Sequence, residues 1–151
     1  MNFFENKYLT KDELHALSGV ITEMEKNTSG EIRVVVRHRR HWKERKLSLH
    51  ELALGEFYRL GMDKTRDRTG ILILLLFSER KFHIVADEGI HKSVDDGTWD
   101  KIAEAMSDHF KKGNFFLGIS EAIRAVGTEL ATYFPRKSDD TNELSNDIIE
   151  R

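Results

Sequence analysis

Apolar side chains recur along the chain at two periods, three to four residues in some segments and two in others. The first segment predicts a helix after Thr10, because Thr10 and Glu13 have the spacing of a capping box and apolar residues then follow at helical spacing: Leu14, Leu17, Ile21 and Met24. Residues 32–37 alternate with a period of two. This pattern predicts a strand near a sheet edge, with one covered face and one partly wet face.

A second helix and a central strand follow. Ser48 and Glu51 form another capping box, which predicts a helix that continues to Leu60 and stops at Gly61. Residues 71–77 are apolar at every position, so both faces of this strand must be covered, as in the centre of a sheet.

A hairpin and two more helices complete the predicted elements. After the short turn at residues 78–80, residues 81–86 are expected to return antiparallel to the central strand. Thr98 is the predicted cap of the next helix, which closes at Gly113. The last helix carries a stripe of apolar residues, and Pro135 prevents its continuation: Phe116, Ile119, Ile123, Val126 and Leu130.

These elements predict an α/β fold with a small mixed sheet sandwiched between helices. The order strand, helix, strand, strand requires a βαβ crossover followed by an antiparallel hairpin. Residues 1–135 are expected to form a single domain, and residues 136–151 a polar, acidic C-terminal tail. The tail has a small apolar face, Leu144, Ile148 and Ile149, so it either stays flexible or docks as a short helix on the domain or on a partner.

Composition limits the classes of function. The chain has no cysteine, which excludes disulfides and thiolate chemistry and, with no leader in view, leads us to expect a cytoplasmic protein. No apolar run approaches the roughly 20 residues of a membrane helix, so we expect no membrane insertion. The net charge is -2, and the basic stretch at residues 38–46 is interpreted as a solvated loop rather than a nucleic-acid site.

The predicted topology gathers acidic residues at one end of the sheet. Parallel strands start at the same end, and the third strand of the hairpin finishes there, so the loops that carry carboxylates should meet. Six residues are candidate ligands of a divalent cation, calcium or magnesium: Glu31, Asp67, Asp87, Glu88, Asp95 and Asp96. Crowded carboxylates repel one another, and a hard cation with oxygen ligands relieves that repulsion.

Simpler interpretations of the same residues remain open. Arg66 and Arg68 could neutralise the carboxylates without a metal, and Asp95 or Asp96 could cap a helix. The spacing does not match an EF-hand loop, so the sequence names no particular ion. No phosphate-binding loop, nucleophile elbow or dinucleotide fingerprint occurs.

From Ser29 to Phe134 the chain resembles the TPM domain family. The resemblance rests on the order and spacing of several short motifs: Ser29-Gly-Glu-Ile32, Phe57 to Gly61, Thr69-Gly-Ile-Leu-Ile73, Lys81 to Ile90, Gly118-Ile119 and Gly127. Phe134-Pro135 followed by residues 140–144 looks like a short, stand-alone bacterial subgroup without a membrane anchor.

The resemblance implies a mixed sheet between helices and an acidic, cation-binding depression, and some plant relatives are described as acid phosphatases. The chain departs from the family pattern where many relatives read Gly-x-Gly-Leu-Glu. Asp87 stands in place of the first glycine and His91 in place of the glutamate, while Gly89 and Asp96 match. Asp67, Asp87 and Asp96 are therefore the strongest candidate ligands.

Together these inferences favour a non-catalytic binding or regulatory module with a divalent-cation site. Its partner is an unknown protein, which the resemblance suggests is membrane-associated. The alternative is a metal-assisted acid phosphatase that acts on phosphate esters, with Arg66 or Arg68 stabilising the developing charge.

Overall fold

A four-stranded mixed sheet with helices on both faces forms the fold, in a computed structural model that describes residues 8–137 and 145–151. The strand order is β3-β2-β1-β4. The elements run in this sequence: α1 Lys11–Glu25, β1 Glu31–Arg37, α2 Leu49–Arg59, β2 Gly70–Leu76, β3 Lys81–Ala86, α3 Glu88–His91, α4 Asp96–Lys111, α5 Phe115–Tyr133 and β4 Ile149–Glu150.

The strand register brings three chain reversals to one end of the sheet. β1 and β2 are parallel, with Glu31 opposite Gly70, while β2 and β3 are antiparallel, with Ile71 opposite Ala86. The first residues of β1 and β2 and the last residue of β3 therefore lie together. We call this end, with Glu31 and the loops at residues 65–69 and 87–96, the acidic end.

β2 is the central strand of the hydrophobic core. Its residues are apolar on both parities, and each side of the strand packs into a different cluster. Ile71, Ile73 and Leu75 face the cluster that includes α1, α4 and α5, whereas Leu72 and Leu74 face the cluster under α2. The prediction of a strand covered on both faces is confirmed, as is the hairpin to β3.

The predicted helix boundaries follow the capping chemistry. Thr10 Oγ1 accepts a hydrogen bond from the Glu13 amide at 3.1 Å, and Glu13 Oε1 accepts one from the Thr10 amide at 2.9 Å. Ser48 and Glu51 form the same reciprocal pair at the start of α2. Gly61 takes the left-handed conformation, with φ 72°, directly after that helix.

One local prediction is wrong, and one short helix was not predicted. α4 begins after Asp95 rather than Thr98, because the Asp95 carboxylate accepts a hydrogen bond from the Gly97 amide and caps the helix earlier. The short helix α3 was not foreseen. It follows β3 directly and is capped by Asp87, and a four-residue helix has too few positions to produce a periodic pattern.

The strand β1 is buried along its whole length, so the prediction of a partly wet face is wrong. Two of its residues are arginines that lie inside the fold with carboxylate partners. Arg33 Nη1 donates to Glu25 Oε2 at 2.8 Å, and Arg37 forms a two-point ion pair with Glu44 in which one contact is 2.9 Å. These ion pairs satisfy charges that the pattern alone assigned to solvent.

The described part of the C-terminal tail docks as a strand, not as a helix. Ile149 and Glu150 form β4, which pairs in parallel with Val35 and Val36 of β1. Leu144, the first residue of the predicted apolar face, lies outside the described residues, as does the tail motif at residues 140–144. In the part of the chain that the structure describes, no helix combines the length and apolar character needed to cross a bilayer.

Candidate cation site at the acidic end of the sheet

Asp87 and Arg68 form the central contact of the acidic end. Arg68 Nε lies 2.9 Å from Asp87 Oδ2, and Arg68 Nη2 lies 3.0 Å from Asp87 Oδ1. The Asp87 side chain is only 4 % exposed, whereas that of Arg68 is 45 % exposed. A buried carboxylate thus faces a cation that reaches it from the surface, in the two-point geometry that favours arginine.

The backbone around this pair is closely packed. The Gly89 amide donates to the Arg68 carbonyl at 2.9 Å, and the Asp87 amide donates to the Gly70 carbonyl at 2.9 Å. A Cβ atom at Gly89 would lie 2.5 Å from the Arg68 carbonyl oxygen, so only glycine fits there. Arg68 itself has a positive φ of 56°, an uncommon conformation for a residue with a side chain.

Asp67 lies next to this pair but has different partners. Its Oδ2 is 3.3 Å from Lys137 Nζ and 3.4 Å from Arg66 Nη2. Burial acts to raise the pKa of the Asp67 carboxyl, but Lys137 and Arg66 together outweigh it and hold the pKa below its usual value. Asp67 and Lys137 line a shallow depression of about 380 Å³ beside Thr69 and the end of α5.

The two glutamates of the candidate set are placed very differently. Glu88 is largely exposed, and its carboxylate is 3.7 Å from Arg68 Nη2, so Arg68 contacts two acidic residues at once. Glu31 is buried at the start of β1, where its carboxylate is 3.9 Å from Arg33 Nη2. Arg68 therefore joins Glu88 to Asp87, whereas Glu31 belongs to the buried ion pairs of β1.

Asp95 and Asp96 form a separate group at the start of α4. Asp95 caps that helix through the Gly97 amide, which bears out the simpler interpretation of this residue. Asp96 is exposed, and its Oδ1 lies 3.0 Å from Nδ1 of His91. His91, the residue that departs from the expected family pattern, thus lies at ion-pair distance from a candidate ligand.

The acidic end offers suitable ligand atoms for a hard cation but does not present them as a formed cage. Calcium takes six to eight oxygen ligands, and magnesium takes six. In residues 8–137 and 145–151, no three or more histidine, aspartate or glutamate side chains converge in an arrangement that could hold a metal. Arg68, Arg66 and Lys137 neutralise the carboxylates instead.

One contributor to this site was not foreseen from the sequence. Lys137 reaches Asp67 across a separation of 70 residues, and no local pattern signals such a contact. The ordering of the segment after α5 explains it, because Thr28 forms a β-bridge with Pro135 and Arg136 Nη1 donates to the Glu25 carbonyl. The site therefore draws on the segment after the last helix as well as on the predicted loops.

The chain matches a family model and several solved structures, two of which are described below. The model of the TPM domain matches residues 4–129. The BA42 protein from the psychrophilic bacterium Bizionia argentinensis, solved by NMR, is 37 % identical, with 97 % of each chain covered and a TM-score of 0.85.

A second solved structure is more distant. The N-terminal domain of a protein from P. gingivalis is 21 % identical, covers 85 % of this chain and 80 % of its own, and has a TM-score of 0.69, which supports the fold alone. No curated protein matches the chain. Since the family model spans well over half of the residues, the chain belongs to the TPM domain family.

Proposed function

We propose that this protein is a non-catalytic binding module whose acidic end takes a divalent cation, calcium or magnesium, in exchange for Arg68 at Asp87. The observation that carries the proposal is the Arg68 guanidinium bound at two points to the buried Asp87 carboxylate. A nearly buried carboxylate destabilises the fold unless a positive charge pairs with it. A cation from solution can meet the same requirement.

The ligand chemistry supports replacement of Arg68 by a metal ion at Asp87 rather than a preformed metal site. Both Asp87 oxygens face Arg68, so a metal ion and Arg68 would compete for the same atoms. Arg68 is nearly half exposed, and its side chain has room to turn into solvent. Glu88 follows Asp87 in the chain and contacts Arg68, and the backbone of Asp67 packs against Gly89. These two residues would supply the next carboxylates to turn towards a bound ion.

The acidic end would also be the surface that a partner protein contacts. Ordering of residues 65–69 and 87–96 around a cation would present one defined surface at the acidic end. Following the family resemblance, we propose that a membrane-associated protein recognises this surface. The cytoplasmic location expected from the sequence stays a prediction.

Thermal unfolding in the presence of calcium or magnesium tests the proposal. A ligand that binds only the native state stabilises it by RT ln(1 + [L]/Kd), about 2.7 kcal/mol at one hundred times Kd. We expect the unfolding midpoint of the wild type to rise with millimolar calcium and that of Asp87→Asn to stay constant. Asp108→Asn, a change at an exposed aspartate on α4, is the matched control and should respond as the wild type does.

The same series includes Arg68→Gln. If the cation replaces Arg68, this variant should respond at a lower calcium concentration than the wild type, because the competing guanidinium is gone. If neither calcium nor magnesium changes the unfolding midpoint of the wild type or of Arg68→Gln, the proposal is contradicted.

The alternative, a metal-assisted acid phosphatase, has less support. That chemistry needs carboxylates that are free to hold one or two cations next to the phosphate, and Asp87 is engaged by Arg68 at both oxygens. Hydrolysis of a generic phosphate ester by the purified wild type, lost in Asp87→Asn with the fold intact, would favour the enzyme. Absence of turnover at saturating metal would favour the binding module.

A further inference from the structure

The outer edge of β1 holds the tail of the protein at the end opposite to the acidic end. The tail first crosses α1, where Asn146 Nδ2 donates to Thr22 Oγ1 at 3.0 Å and the Ile148 amide donates to Ser18 Oγ at 3.3 Å. It then pairs with β1 in parallel. The Arg151 amide donates to the Val36 carbonyl at 2.8 Å. The contact is therefore a short strand addition through backbone hydrogen bonds.

Side chains on both faces of the sheet receive the tail. Ile148 packs against the cluster that includes α1 and α5, and Ile149 packs against the cluster under α2. Successive side chains of an extended segment point to opposite faces, so two adjacent aliphatic residues fill one site on each side of the edge. Such alternating sites give a strand-addition surface its sequence preference.

A buried carboxylate fixes the end of the tail. Glu56 of α2 is only 1 % exposed, and its Oε2 lies 2.6 Å from Arg151 Nε. The same carboxylate is 3.2 Å from Nη1 of Arg59, which is mostly exposed. Removing Arg151 would take away the cation closest to the buried Glu56 carboxylate, leaving the mostly exposed Arg59 and the longer-range charge of Arg37, so this position favours an arginine.

The strand that occupies the edge lies outside the part of the chain that the family model matches. That match ends at residue 129, whereas β4 consists of Ile149 and Glu150. The TPM domain itself thus supplies β1, both aliphatic sites and Glu56, and the tail is an addition to this edge.

We propose that the β1 edge is a peptide-binding site, and that the tail occupies it as an intramolecular ligand that a partner protein displaces. The partner segment is extended and carries two adjacent large aliphatic residues followed, two positions later, by arginine, the chemistry of Ile148, Ile149 and Arg151. The site is separate from the acidic end, and the inference does not depend on cation binding.

A fluorescent peptide with the sequence of residues 145–151 tests the proposal. The full chain with Ile149→Ser and Arg151→Ser has a weakened tail but keeps β1 and Glu56 unchanged. We expect the peptide to bind this variant saturably and the wild type at least tenfold more weakly, because a tethered tail competes at a high effective concentration. Fluorescence anisotropy measures both affinities, and a cooperative thermal transition verifies that the variant is folded.

Two controls isolate the arginine contact. A peptide with glutamine in place of the arginine should bind the weakened-tail protein at least tenfold more weakly, and Glu56→Gln in that protein should weaken the unmodified peptide similarly. In amide NMR spectra the bound peptide should shift the resonances of residues 35–38. Equal binding to both proteins, no binding to the weakened-tail protein, or shifts confined to other surfaces would overturn the proposal. So would a wild-type dimer that exchanges tails, since the occupant would then be a second copy of the chain.

Discussion

Arg68 Nε and Nη2 lie 2.9 and 3.0 Å from the two carboxylate oxygens of Asp87, although the residues belong to different chain reversals. The Asp87 Oδ1 atom also accepts a hydrogen bond from the Glu88 amide at 2.7 Å. One carboxylate thus caps α3 and binds the loop before β2. This double role makes Asp87 the residue on which the acidic end depends.

Replacing Asp87 by asparagine should separate its two roles. Asparagine can still cap α3, but it cannot offer Arg68 two charged oxygens. We expect the thermal midpoint of Asp87→Asn to fall by roughly 2–4 °C. In a chain of this size, that shift corresponds to a loss of about 1 kcal/mol in the free energy of unfolding. Calorimetry measures it. A midpoint equal to that of the control Asp108→Asn would mean that the ion pair contributes nothing to stability.

The close backbone contact at Gly89 predicts that Gly89→Ala loses more stability than Asp87→Asn does. In Gly89→Ala the new Cβ would lie 2.5 Å from the Arg68 carbonyl oxygen and 2.6 Å from that of Asp67, so the two loops must separate. Overpacking of this kind costs about 1–3 kcal/mol. Urea denaturation measures the cost.

Gly55→Ala is the matched control for that substitution. Nothing lies within 4 Å of the position where its Cβ would be, and the residue is exposed within α2. It should therefore stabilise the protein by about 0.5–1 kcal/mol. The same sign of effect at both glycines would contradict the packing described for the acidic end.

The Arg37–Glu44 pair predicts a dependence of stability on acid. The hydrogen bond from Arg37 lowers the pKa of Glu44 to about 2. This folded-state pKa lies below the usual value of 4.5. The stability that the ionised Glu44 gives to the fold is therefore fully present above about pH 4.5 and is lost as the pH falls towards 2.

Glu44→Gln should remove that contribution. It leaves the buried Arg37 charge without its carboxylate, at a cost of about 2 kcal/mol near neutral pH, reduced from that of a fully buried pair because Glu44 is partly exposed. Denaturant unfolding across pH 2 to 7 should give a flatter acid limb for this variant. An acid limb as steep as that of the wild type would place the titrating group elsewhere.

A histidine pair between α2 and β3 predicts an effect at mildly acidic pH. His50 Nδ1 and His83 Nε2 are 2.8 Å apart. Burial lowers the pKa of His83, and His50 lowers it further, while Asp100 opposes both. The unfolded chain therefore binds more protons than the native state as the pH falls through the usual histidine value of 6.5, and stability decreases with it.

His83→Gln should flatten the stability profile between pH 7.5 and 5.5. One titrating group changes stability by at most about 1.4 kcal/mol per pH unit, so the measurement needs unfolding curves at closely spaced pH values. His15→Gln, a change at an exposed histidine on α1, is the control and should keep the wild-type profile. If the stability of His83→Gln changes with pH as steeply as that of the wild type, His83 is not the group responsible.

The predicted parts of the fold are those with a strong local signal. The unbroken apolar run of β2 and the two capping boxes each determine their own structure, so the sheet centre and the starts of α1 and α2 follow from the sequence. β4 has two residues and no period of its own, and it exists only because β1 offers an unpaired edge. Arg33 was assigned to solvent because its buried partner, Glu25, lies in another element.

The site was predicted only in part for a related reason. Topology placed Asp67 and Asp87 at the same end of the sheet, since this follows from strand direction alone. Which cation each carboxylate faces depends on side-chain reach, as in the contact between Lys137 and Asp67, and on the positive φ of Arg68. Periodicity carries no information about either.

The central claim is that a divalent cation replaces Arg68 at Asp87, and NMR of the Arg68 Nε–H group during a calcium titration tests it most directly. With Arg68 bound to Asp87, this proton should be protected from exchange with water and should give a distinct resonance. We expect added calcium to abolish that protection and to shift the amides of Asp67, Glu88 and Gly89 together, with one saturation curve. An Arg68 Nε–H resonance and neighbouring amides that stay unchanged at millimolar calcium would contradict the account.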